Sequence, residues 1–401
     1  LGNQGMLLVL VVGFFLFTAL ERRDPAVLAP ALLIATLFVF AGSDSLRGFI
    51  RAEVSALLPF AILLLILGRQ QTYIRWDALL GIFFLYLMAR LLRFSLGGKP
   101  IALGIGLTGI FVGALNLIDA GVLPFGAGFF SPLVGISDRN PTGWVLAFGI
   151  GATVALLAFF PLRRWLRSAA WLLFGTSFVA SFLVQSVASF VAAVVATSIV
   201  SAAVLVRARR GFASENKSRV PGSASHRTWL AILLATLGAS VTFLLLAILG
   251  GQALGRDWQY LTGRVPLWNC YFQELGTDGA LNFQAVQECA GFEAAHTHSI
   301  YLESHLIGSW PLAIALILGL GFVVVRTLRE LLVNPDHKTA GEAGLGLSLA
   351  VVGVVVGLAE AYIYNSLGFG ALVLFMAEPA SYQKKLFSKP QPLPTWGRPA
   401  R

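Results

Sequence analysis

Charged residues are scarce in this chain. They make up 12% of its 401 residues, about half of the roughly 25% usual in soluble domains. That shortage excludes an ordinary water-soluble globule. Cysteine is nearly absent, with two residues. Two thiols without a clear CxxC or HxxxH partner make a poor zinc ligand set. A cleavable leader is not expected. Leu7 to Leu20 runs into Glu21-Arg22-Arg23-Asp24-Pro25 with no small-residue cleavage site, and further apolar runs follow. The balance of 29 Lys+Arg against 19 Asp+Glu could point to nucleic acid. Basic residues of membrane proteins gather in cytoplasmic loops, however, so no nucleic-acid partner is expected.

What is present is apolar sequence, 57% of the chain. Runs of about 20 apolar residues, the length a helix needs to cross a bilayer, recur from end to end. The expected fold is an all-α, polytopic membrane protein with about twelve spans. They fall at roughly 5–20, 26–42, 53–68, 77–95, 101–118, 142–162, 168–184, 187–206, 229–250, 305–325, 342–362 and 366–378. A single long, kinked helix through Gln185-Ser186 is the alternative to two spans there, and it would change the parity. With both termini in the cytoplasm, 22 of the 29 cations fall in cytoplasmic loops, as the positive-inside rule requires. The other seven are all arginine: Arg22, Arg23, Arg69, Arg75, Arg139, Arg256 and Arg264. Arginine stays charged and binds phosphate bidentately. The chain then divides into spans one to nine (1–250), an outer loop (251–304), spans ten to twelve (305–388) and a cytoplasmic tail (389–401).

The outer loop is the one long polar segment near the middle of the chain, and it holds both cysteines. Cys270 and Cys289 are 19 residues apart, and an oxidising compartment would join them. Closing a loop of this size stabilises the fold by roughly 3 kcal/mol. Arg139, just before the sixth span, pairs with Asp138, a lipid headgroup or a substrate anion. Arg264 precedes Val265-Pro266-Leu267-Trp268, an amphipathic stretch for the interface, where a headgroup or a phosphate would suit it. Arg69 and Arg75 flank Gln70 to Ile74. His296, His298 and His305 cluster where the tenth span begins, with Thr297 as the expected N-cap. A histidine with its pKa near about 6.5 can act as a general base. Spacings of two and seven residues do not match a zinc-binding helical pair.

These residues carry a resemblance. His298-Ser299-Ile300-Tyr301-Leu302, followed by Gly308 and the apolar Trp310–Phe322 run, resembles the H-[NS]-x-Y-L…G signature of the O-antigen ligase and polymerase superfamily. Gly263-Arg264…Trp268 is similar to that family's G-R…W element. Asn140-Pro141-Thr142-Gly143 is similar to its N-P-N-type start of a middle span. Where members often carry T-x-S-R or Q-S-R, this chain reads Gln185-Ser186-Val187-Ala188, with valine in place of the arginine. The resemblance covers most of the chain in layout.

It implies a GT-C-like membrane glycosyltransferase of the bacterial inner membrane, with its active site facing the periplasm. The donor would be a glycan on undecaprenyl pyrophosphate, and the acceptor a sugar hydroxyl of lipid A–core. His298 matches the general base and Arg264 the arginine that holds the pyrophosphate. Arg139 would supply the charge missing at Val187. Arg69, Tyr301, Gln185 and Glu360 are possible substrate contacts. The outer carboxylates Asp257, Glu274, Asp278, Glu288, Glu293 and Glu303 are dispersed and contain no DxD, so no metal and no cofactor are expected. Two alternatives stand beside ligation: polymerase action on the donor glycan, and a transporter or flippase. The last would place paired charges inside the spans.

Overall fold

The computed structural model describes residues 85–86, 88–90, 92–93, 96–119, 139–184, 187–210, 227–236, 238, 264–275, 282–291, 297–334, 336–359 and 368–377. Among the described residues the chain is all-helical, without a strand. The helices are α1 (Gly98–Asp119), α2 (Arg139–Phe159), α3 (Arg164–Leu183), α4 (Val187–Arg209), α5 (Arg227–Thr236), α6 (Arg264–Gln273), α7 (Phe283–Ala290), α8 (Ile300–Val333), α9 (His337–Ala359) and α10 (Gly368–Phe375). Five of these, α1, α2, α4, α8 and α9, contain stretches long and apolar enough to cross a membrane. The expected spans 5–20, 26–42 and 53–68 lie outside the described residues, as does the tail 389–401. So do parts of the spans 77–95, 229–250, 342–362 and 366–378.

α1 packs antiparallel on α2, and α2 on α9, through small residues. A Cβ on Gly109 would sit 3.0 Å from the Gly149 Cα, and the reverse approach is equally close. That contact lets the α1 and α2 backbones touch, the usual solution where lipid removes the hydrophobic drive between helices. On the other side of α2, Ser348 Oγ donates to the Gly151 carbonyl at 2.7 Å, joining α9. Phe178 and Phe190 stack with centroids 5.4 Å apart. Twelve residues of continuous helix would separate them by about 18 Å. Hence the chain bends sharply between α3 and α4, and no straight helix runs through both; residues 185–186, where the single kinked helix was the alternative, lie outside the described residues.

These contacts give the bundle two distinct ends. At one end Arg93, fully buried, bonds through Nη2 to Glu342 Oε2 at 2.8 Å and to the Glu342 carbonyl at 2.9 Å. Glu342 Oε1 also accepts the Gly98 N–H at 2.7 Å, the first amide of α1. Lys99 Nζ donates to the Pro161 carbonyl. Arg207 donates to the carbonyls of Leu331 and Asn334, and Arg210 to that of Leu332. These guanidinium groups satisfy carbonyls that the C-terminus of α8 would otherwise leave open. Arg93, Lys99, Arg207 and Arg210, all assigned to cytoplasmic loops by the sequence, therefore lie at one end. The opposite end holds the start of α8, the C-terminus of α9 and the first turns of α2 and α4.

Candidate functional site

The site is built where α6 and α7 sit against the first turns of α8. On α6, Leu267, Cys270 and Tyr271 fall three and four residues apart, so they share one face. That face is buried with Val286 of α7, and Leu302 and Leu306 of α8 pack on it. Asn282 Oδ1 caps α7 by accepting the Gln284 N–H at 3.1 Å. Gly291 ends it in the left-handed region, φ 73°, where a side chain would be strained. A Cys270–Cys289 disulfide clamps α6 to α7, as the sequence led us to expect. We call this covalently closed pair of helices the cap.

Two α6 side chains grip the start of α8 and the turn before it. Trp268 Nε1 donates to the Thr297 carbonyl at 2.9 Å. Tyr271 Oη lies 3.3 Å from the Leu302 carbonyl and 2.5 Å from His305 Nδ1. Thr297 is held from a third direction as well. Glu303 Oε2 accepts its backbone N–H at 3.0 Å and lies 3.0 Å from its hydroxyl. Thr297 is fully buried and Ser299 nearly so, while His298 between them is half-buried.

His298 itself has φ +54°. A non-glycine residue in the left-handed region is uncommon, and strain there costs about 1–2 kcal/mol. Such strain persists where its surroundings over-determine it, and it clusters at functional sites. The same dihedral corrects one expectation. The helix does not begin near Thr297 with that residue as N-cap. Ser299 is the N-cap, in extended conformation, and α8 starts at Ile300. A left-handed residue breaks helical geometry, so Thr297 cannot belong to the helix. Its hydroxyl instead lies 3.1 Å from the Ser299 carbonyl.

The remaining predicted residues fall as follows. Arg264 is the first residue of α6, one turn before Trp268. Arg139 is the first residue of α2. The side chains of both lie outside the described part. Because α2 and α8 each run antiparallel to α9, Arg139 starts its helix at the same end of the bundle as His298. Tyr301 is half-buried and donates its hydroxyl to the Val354 carbonyl at 3.2 Å. Burial pushes its phenol up to about 12. The hydroxyl proton is thus committed to tying α8 to α9. Arg69, Gln185 and Glu360 lie outside the described residues, and so does His296.

Sequence reasoning missed Tyr271 and Glu303. Glu303 stands six residues from Thr297, outside the three-residue spacing of a capping box, so that rule does not flag it. Burial, with the charge of Glu303 adding, raises the Tyr271 phenol above its usual range. Burial alone lowers the His305 imidazole below its usual range. Among the described residues no group of three or more His, Cys, Asp or Glu is placed to hold a metal ion. Compared with known protein families and with curated proteins, the chain matches none.

Proposed function

We propose that this chain is a membrane glycosyltransferase of the O-antigen ligase type. It moves a glycan from undecaprenyl pyrophosphate to a sugar hydroxyl of lipid A–core. The working arrangement is twelve spans in a bacterial inner membrane, with the cap and His298 on the periplasmic side. One observation carries the reading. The indole of Trp268 holds the carbonyl immediately before His298, and so ties the helix that Arg264 opens to the turn that carries the imidazole. Two short motifs 30 residues apart in sequence thereby become parts of one site.

The chemistry follows from those residues. His298 takes the proton of the acceptor hydroxyl. The resulting oxygen attacks the anomeric carbon from the side opposite the leaving group. The bond from carbon to pyrophosphate oxygen breaks, and configuration inverts. Arg264 and Arg139 neutralise the charge that develops on the departing pyrophosphate, which is the largest electrostatic demand of the step. Holding two lipid-borne substrates at one membrane face removes most of the entropic barrier to their meeting. A guanidinium brought beside His298 would favour the neutral imidazole, the form a base needs.

The transporter reading predicts paired charges inside the spans. One such pair is present, Arg93 with Glu342, within the expected spans 77–95 and 342–362 but near their ends and remote from His298. The middle of the described bundle is joined by neutral contacts such as Ser348 to Gly151.

The test uses purified protein in lipid vesicles, undecaprenyl-pyrophosphate glycan, and lipid A–core as optional acceptor. Glycan on lipid A–core is the expected product. Longer glycan on the carrier would replace ligase by polymerase. Movement of the donor across the bilayer without transfer would favour a flippase. Activity is expected to survive EDTA; loss that Mg²⁺ or Mn²⁺ restores would overturn the metal-independent mechanism.

A further inference from the structure

The proposed reaction leaves one buried titratable pair unused. Tyr271 is fully buried and His305 is 4% exposed. The Tyr271 oxygen has a single proton and two neighbours, His305 Nδ1 and the Leu302 carbonyl. If His305 carries its proton on Nδ1, that N–H donates to the Tyr271 oxygen, and the phenol donates onward to Leu302. The arrangement makes two hydrogen bonds. The other tautomer makes one and leaves a buried N–H without an acceptor, which is the rarer omission in folded proteins. Of the two neutral forms, the one with the proton on Nδ1 fits these neighbours. Among the described residues, its Nε2 is then a buried acceptor without a partner.

Burial disfavours its charged form. The imidazole lies tilted against Trp310 with centroids 4.4 Å apart and meets the edge of Tyr271. Leu302 and Leu306 of the same helix pack on the Tyr271 cluster. Among the described charged or titratable residues nearby, Glu303 is engaged with Thr297. Glu274, after α6, and Glu288, on α7, are exposed, and His298 precedes the helix. None of them raises the His305 pKa; burial alone moves it, downward. Protonation would leave a charged Nε2–H buried and, among the described residues, with nothing to donate to.

Trp268 and Tyr271 stand three residues apart on α6, so they grip α8 at two points on one face. The His298 turn lies between those points. Resting on the transfer reaction above, we propose that Tyr271 and neutral His305 are a positioning pair. They hold α6 against the first two turns of α8, keep the His298 turn in its productive shape, and release it when His305 is protonated. Neither residue touches the reacting atoms. The sign is set by the direction of the shift. A folded-state value below the ordinary 6.5 means the contribution is complete above 6.5 and is lost as pH falls through the folded value.

The experiment uses the full chain in vesicles across about pH 5 to 8, the range in which histidine titrates. Two variants separate hydrogen bonding from titration. His305→Asn can still donate to the Tyr271 oxygen and does not titrate. Tyr271→Phe keeps the ring and loses the link. The first readout is hydrogen exchange of residues 264–273 and 297–306, corrected for intrinsic rates. Wild type is expected to lose protection on the acid side, His305→Asn to keep it, and Tyr271→Phe to lack it throughout. The second readout is transfer. Wild type is expected to show an acid limb steeper than one proton, since His298 and His305 must both be neutral. In His305→Asn the limb should fall to one proton. Tyr271→Phe, which removes both hydrogen bonds of the phenol, should lower kcat about tenfold or more, with donor KM unchanged. Wild-type protection that does not change with pH, or an unchanged two-proton limb in His305→Asn, would overturn the proposal. If His305→Asn does not fold, the wild-type exchange profile and Tyr271→Phe decide it. Exchange behaving as expected without any transfer would leave the pair standing and remove the ligase reading instead.

Discussion

The two ends of the bundle hold their helices together by different means. At the Glu342 end the tie is ionic and buried: one carboxylate serves the Arg93 guanidinium and the first amide of α1. At the His298 end the grip of α6 on α8 is neutral. An indole, a phenol and an imidazole hold backbone carbonyls and one another, and a disulfide closes the piece they come from. A buried ion pair has a large penalty for any rearrangement, because either partner left alone is an uncompensated charge. Neutral hydrogen bonds break at about a kilocalorie each. One end is thus built to stay as it is, while the other can adjust around a partly buried imidazole.

Substitutions that strike one end and spare the other sharpen this contrast. His298→Ala should lower transfer by about 10²–10⁴-fold, the usual contribution of a general base, with the melting temperature preserved. Full activity in that variant would remove His298 from the reaction. Glu342→Gln leaves Arg93 buried without its charge partner, and stability should fall by about 3–5 kcal/mol. Donor KM of the folded fraction should not move. Thermal unfolding in detergent measures the first and transfer kinetics the second. A loss below 1 kcal/mol would mean the pair is not the anchor of that end. Replacing Cys270 and Cys289 with serine should cost about 3 kcal/mol, and hydrogen exchange should place the loss in α6 and α7. Uniform loss across the bundle would contradict a separately closed cap. Trp268→Phe should have the smallest effect on stability, about 1 kcal/mol for one hydrogen bond. Its mark should be kinetic, with kcat reduced more than KM. Equal changes in both would place Trp268 in binding rather than in holding the His298 turn.

The apolar runs made much of the described fold legible. The runs expected at 101–118, 142–162, 168–184 and 187–206 appear as α1 to α4 with ends shifted by a few residues. The charge distribution separated the two ends, because cations cannot follow the chain into lipid. Hydropathy failed at the tail of α8. The helix continues to Val333 through Arg326, Thr327, Arg329 and Glu330, where the expected span stopped at 325. An Arg326–Glu330 pair one turn apart and the capping guanidinium of Arg207 keep that polar turn helical, and neither registers in a hydropathy window. In the site, the Cys270–Cys289 pairing was readable because cysteine is rare in this chain. The Arg93–Glu342 tie was not, since its partners are 249 residues apart. Nor could the Tyr301 side chain be placed: the pattern puts a tyrosine near the site, and only packing gives its hydroxyl to Val354.

The left-handed backbone at His298 has a consequence for how this protein can change. Glycine, and to a lesser degree asparagine, occupies that dihedral with less strain than histidine does. His298→Gly and His298→Asn therefore lie on a path of neutral or improved folding that, on the proposed transfer reaction, ends in an inert protein. Selection for thermal robustness alone would drift the position toward them, and only selection for turnover would hold the imidazole in place.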